Sequence, residues 1–183
     1  MWPVTSIFTS FIPFSPDLTW RDIQHLCVKT SRVINPDDDS WDKTATGLKY
    51  SNKYGFGALD GYAYVKAAMD WKLVKPQAWF KTNTVQLNGG VMNAKKNYSG
   101  GEFIGPGGVS STIAITEPML EDNNFEDLEH ITIQVWIQHA KRGDVEVQLT
   151  SPHGVTSILG QKRTNDLATT GYPGWTFMTV KHW

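Results

Sequence analysis

Hydrophobic positions change their period partway along the chain. From Thr19 to Trp71 they recur at helical spacing in two blocks, and beyond Phe80 they alternate with polar ones. In the first block Thr19 stands where an N-cap belongs and Asp22 follows three residues on, a capping-box arrangement with a carboxylate suited to the positive helix end. Ile23, Leu26 and Cys27 then predict a buried face, with His25 off that stripe and in solvent. In the second block Asp60 is the predicted N-cap, and Ala63, Tyr64, Ala67, Ala68 and Trp71 mark the helix. After Pro76 and Trp79-Phe80 the period becomes two. Strands are predicted at 84–87, 112–116, 131–137, 145–149, 155–159 and 175–180, an all-β sandwich or barrel. Ile131, Ile133, Val135 and Ile137 share one face, while Thr132, Gln134, Trp136 and Gln138 share the other.

Three intervals between these runs invite chemistry. Asn35-Pro36-Asp37-Asp38-Asp39-Ser40 is an acidic turn, and three successive aspartates suggest calcium. It lacks the sixth-position glycine and terminal glutamate of a calcium loop, so a solvated loop is expected. Tyr54-Gly55-Phe56-Gly57 precedes a helix but fits neither the Walker spacing nor the dinucleotide fingerprint, and reads as scaffold. Residues 88–108 hold seven glycines, a Lys95-Lys96 pair and the sequon Asn97-Tyr98-Ser99. That composition predicts a mobile surface loop with Asn97 as a candidate glycan acceptor.

Composition narrows the classes. The formal net charge of -1 offers no footprint for nucleic acid or an acidic membrane. One cysteine, Cys27, excludes an internal disulfide and reads as a small core residue. No segment has the length of a membrane span. The apolar start, Met1 to Phe14, lacks the basic region and cleavage site of a signal peptide, and Pro3 and Pro13 bracket it.

Leu18-Thr19-Trp20-Arg21-Asp22 and residues 49–60, Lys-Tyr-Ser-Asn-Lys-Tyr-Gly-Phe-Gly-Ala-Leu-Asp, followed by the helix closing on Trp71, resemble the end of the catalytic domain of kexin/furin-type proprotein convertases, which are subtilisin-like serine proteases. The second half resembles the P domain (homo B) that follows it, through residues 128–132, residues 142–154 and residues 175–183. The resemblance implies a mixed fold. Residues 1–79 would be a helical and loop C-terminal remnant of an α/β subtilisin-like domain, with 1–15 unmatched and attributed to a truncated or misassigned reading frame. Residues 80–183 would be an all-β jelly-roll P domain of about eight strands, truncated at its C-terminus. It also implies a calcium-dependent endopeptidase of the late Golgi and secretory pathway, cutting precursor proteins after Lys-Arg or Arg-Arg, with the P domain packed on the catalytic domain. Calcium sites and the Gly-Thr-Ser nucleophile would lie upstream of this chain. The residues carried over are therefore structural: Thr19, Asp22, Gly55, Gly57, Asp60, Trp71, Gly143, Ser151, Pro152 and Trp175.

The chemistry read from the residues agrees with that implication. A serine protease needs a nucleophile, a base, an orienting acid and oxyanion donors. His25, His130, His139, His153 and His182 lie in no catalytic-histidine motif, and Gly108-Val109-Ser110 lacks the second glycine of a nucleophile elbow. His130 and His139 flank a strand, which does not suit a two-histidine zinc site. No catalytic, cofactor-binding or metal-binding residue is predicted, and the chain alone is expected to be inactive. Arg142-Gly143-Asp144 matches an integrin-adhesion tripeptide, yet a hairpin turn accounts for it. Lys141-Arg142 and Lys162-Arg163 are paired basic residues, the second in a loop-like stretch where nicking in trans is conceivable. The rival reading is a non-enzymatic β module that binds protein or carbohydrate; the subtilisin-like helices argue against it.

Overall fold

Thr19 caps the first helix as its position suggests. In the computed structural model, which describes residues 17–181, its side chain accepts from the Asp22 N–H while Asp22 bonds back to the Thr19 N–H. The apolar N-terminal stretch, the unmatched residues 1–15, and His182 and Trp183 lie outside the described residues. Helix α1 spans Trp20–Thr30, and α2 spans Gly61–Met69 with the Asp60 carboxylate accepting from the Ala63 N–H at 2.9 Å. The two helices meet through Leu26, Tyr64 and Ala68, with Leu18, Cys27, Leu59, Ala67 and Trp71 packed around them. The buried stripe of α1 is Asp22, His25 and Leu26, so His25 is not solvated as expected. The face is turned toward Asp22 because that carboxylate finds its partners inside.

Between the helices, β1 (Asp42–Lys43) pairs with β2 (Lys49–Tyr50), and Arg32 bridges Ala58 with two backbone bonds of 2.9 Å. Gly57 sits at φ +119° with its Cα against that bridge, and a Cβ there would stand 2.2 Å from the Arg32 carbonyl oxygen. Only glycine fits, and the segment is scaffold.

Residues 17–77 with Lys181 form one unit, and residues 78–180 form a second. In the second, β5 (Thr132–Ile137) pairs antiparallel with β8 (Tyr172–Met178), and β6 (Val147–Thr150) pairs with β7 (Thr156–Gly160) through the Ser151–Gly154 turn. The expected alternation of β5 is present, with Ile133, Val135 and Ile137 half-buried and their neighbours exposed. Bulges fall at Val135/Trp136 and Val147/Gln148. Bulges bend a strand and end its regular pairing.

Two expectations fail here. Residues 84–87 and 112–116 form no strand, and Ile113 and Ile115 are half exposed. Alternation creates an apolar face but not a hydrogen-bonding partner, and neither run has one. Residues 88–108 are not a featureless loop: β3 (Val91–Met92) pairs with β4 (Tyr98–Ser99). Its glycines let two backbones cross, since a Cβ on Gly90 would stand 2.9 Å from Gly101 Cα and one on Gly100 2.7 Å from the Gly89 carbonyl oxygen. Among the described residues the strands pair two by two, in four two-stranded sheets.

Candidate functional site

Two buried or half-buried carboxylates organise this chain, one in each unit. Asp22, fully buried, receives four donors at its two oxygens. Oδ2 accepts from the Thr19 N–H at 2.8 Å and from its hydroxyl at 2.5 Å; Oδ1 accepts from Trp71 Nε1 at 2.9 Å and the Val74 N–H at 2.8 Å. Burial pushes the Asp22 carboxyl up, but these bonds outweigh burial and hold it at about 2. The carboxylate thus ties the start of α1 to the segment after α2. Thr19 and Asp22 at one helix start, and Trp71 about fifty residues on, converge on one point.

Asp166 does the corresponding work in the second unit. It takes a bidentate pair from Arg142, Nε to Oδ2 at 2.7 Å and Nη2 to Oδ1 at 2.9 Å, and a third bond from Arg163 Nη2 at 2.7 Å. The Arg142 guanidinium, and then that of Arg163, holds the Asp166 carboxyl well below the usual carboxylate range. Arg163 also donates to the fully buried Tyr172 hydroxyl at 3.0 Å. Arg142 lies over the Trp175 ring, 4.7 Å from its centroid. Gly143 is buried where residues 163–166 cross it, and a Cβ there would stand 2.0 Å from the Arg163 carbonyl oxygen. The tripeptide Arg142-Gly143-Asp144 is consequently a short 3-10 turn whose arginine is already paired. It does not present the extended guanidinium that adhesion needs.

Other candidates resolve into local structure. Asp38 is not simply solvated: it accepts from the Ser40 N–H at 2.9 Å, from Lys53 Nζ at 3.0 Å on both oxygens, and from Tyr54 at 3.2 Å. Hydrogen bonds from Ser40, and then Lys53, hold its carboxyl low. An ammonium across both oxygens occupies the place a calcium ion would need, so this loop does not fit that ion. Burial pushes the Cys27 thiol up, opposite to what a reactive thiolate requires. His130 Nδ1 is 3.0 Å from the Thr179 carbonyl oxygen, a contact between the ends of the paired strands β5 and β8, and His139 Nδ1 is 2.7 Å from that of Lys141, a local turn contact. Among the described residues no three of His, Cys, Asp and Glu gather to hold a metal, and no helix is long and apolar enough to cross a membrane. Asn97 is exposed in the turn of the β3–β4 hairpin, its N–H donating to the Asn93 side chain at 3.1 Å.

Sequence reasoning missed Asp166 altogether, and it missed the second role of Asp22. A lone aspartate between Asn165 and Leu167 carries no motif. The available signal was two Lys-Arg pairs in a nearly neutral chain, with Asp166 three residues after the second.

The fold is one found within a serine protease. A crystal structure of the serine protease of Aeromonas sobria superposes with a TM-score of 0.64 at 17% identity, covering 94% of this chain and 32% of that one. Residues 128–183 match the proprotein convertase P-domain family. Protease KEX1 of Kluyveromyces lactis is 39% identical over 97% of this chain and 22% of its own length. The dibasic-processing endoprotease of Schizosaccharomyces pombe is 37% identical over 98% and 24% respectively. The chain carries a kexin-type proprotein convertase P domain. It spans about a fifth of the length of the curated relatives it matches.

Proposed function

We propose that this chain is the C-terminal part of the catalytic domain, together with the P domain, of a kexin-like, calcium-dependent serine endopeptidase. The parent cuts secretory precursors after Lys-Arg or Arg-Arg pairs in late Golgi compartments. One observation carries the reading: similarity to the dibasic-processing endoprotease runs through both units, over 98% of the chain. The contribution of these residues is structural. Residues 17–77 belong to the protease body, and the β unit belongs to a jelly roll that packs on it and keeps it stable. Calcium belongs to other parts of the parent, consistent with the Lys53 ammonium seated on Asp38. Asn97, exposed in a hairpin turn, is the glycan acceptor of the secreted form.

The purified chain should leave a Lys-Arg peptide intact, with or without calcium, because no base and nucleophile are brought together among the described residues. Cleavage abolished by a serine-directed inhibitor would contradict the reading. Secreted from yeast, the same chain should lose mass on amidase treatment, and Asn97→Gln should remove that change; an unaltered mass would refute the glycan.

A further inference from the structure

Both Lys-Arg pairs of this chain end on a single carboxylate. Arg142 and Arg163 each donate to Asp166 Oδ2 at 2.7 Å, so the arginine that a dibasic-specific protease must grip is already held in each pair. The backbone is withdrawn as well. The Arg142 carbonyl accepts from the Val145 N–H at 3.1 Å, and the Arg163 carbonyl from the Asp166 N–H at 3.1 Å. Each bond that such an enzyme would cut is therefore folded into a turn, whereas proteases bind an extended segment.

The two pairs differ in access. Gly143, after the first arginine, is buried, while Lys162, Thr164 and Asn165 are exposed. The second pair is kept closed by the Asp166 contacts, the Tyr172 hydroxyl, the turn, a bond from the Arg163 N–H to the Gly143 carbonyl at 2.8 Å and one from Nη1 to the Gln161 carbonyl at 3.1 Å. We infer that Arg163–Thr164 is a latent cleavage site for a dibasic-specific endoprotease, kept uncut by the hold of Asp166 and Tyr172 on Arg163. Hydrolysis would add water across that amide. The Arg163 carbonyl carbon gains a hydroxyl, the C–N bond breaks, and Thr164 leaves with a protonated amine. Its biological setting rests on the convertase reading, since a domain carried by an enzyme of this specificity meets that specificity at high local concentration.

The test uses the purified chain and an added dibasic-specific endoprotease, with products read by intact mass and a peptide of residues 158–170 as unfolded reference. Because cleavage of a closed segment tracks the population of its open form, wild type should be cut roughly a hundredfold more slowly than the peptide. Asp166→Asn should be cut after Arg163 about tenfold faster than wild type, with Arg142–Gly143 intact. Wild type cut at the peptide's rate, or a folded Asp166→Asn as resistant as wild type, overturns the inference. If Asp166→Asn has lost cooperative unfolding, Tyr172→Phe decides, since it removes only the phenolic oxygen from Arg163. A rate above wild type at Arg163–Thr164 supports the hold, and an unchanged rate overturns it. The added enzyme makes the result independent of what the parent does, so failure of the convertase reading would be visible separately.

Discussion

At the scale of residues, stability in the first unit concentrates on Asp22. Replacing it with asparagine turns one acceptor oxygen into an NH2 group facing existing donors at a fully buried position. Asp22→Asn should cost roughly 2–4 kcal/mol, read as a lowered urea midpoint with Trp71 emission as the local probe. A loss within experimental error would remove Asp22 from its central place. The pH dependence has a fixed sign. Asp22 sits at about 2, below its ordinary value, so its stabilisation is complete above about pH 4 and is lost as pH falls through about 2. The size of that term is roughly 2 kcal/mol. The helix caps Thr19 and Asp60 were legible in sequence because a cap is a local pattern of three or four residues. The bonds from Trp71 and Val74 to Asp22 were not legible, since nothing local reports a partner about fifty residues away.

At the scale of elements, periodicity identified what it physically encodes. Helices α1 and α2 and the four strands β5 to β8 lie where the spacing of apolar residues places them, apart from small shifts of their ends, whereas the short helix Glu117–Asp122 was not foreseen. The failures at 84–87 and 112–116 share one cause, for an alternating run states which face is apolar and not which strand will bond to it. Glycine density misled in the opposite direction, because Gly90 and Gly100 serve close backbone crossing rather than freedom. Residues 102–116, largely exposed and without strand or helix, should be the first segment cut by a nonspecific protease. Amide exchange should be slowest along β5 and β8. First cuts within 91–99, or faster exchange in 132–137 than in 102–116, would contradict these element assignments.

At the scale of the whole molecule, function resides in what the units support. Neither carboxylate centre is arranged for chemistry on a substrate: every oxygen of Asp22 and Asp166 is engaged by donors from its own unit. The resemblance to convertases was readable from residues 128–132, 142–154 and 175–183 as strings, whereas the meeting of Arg142 with Arg163 was readable only in three dimensions. The central claim is that this chain serves a kexin-type protease as a structural part. Its most direct test is a chimera in which the dibasic-processing endoprotease of Schizosaccharomyces pombe has its matching segment replaced by residues 17–183. Secreted cleavage of a Lys-Arg reporter peptide is then compared with the enzyme lacking that segment. The chimera should restore cleavage, and Asp22→Asn and Asp166→Asn should each reduce it in proportion to the amount of folded enzyme recovered. A chimera that is secreted and folded yet as inactive as the deletion would contradict it.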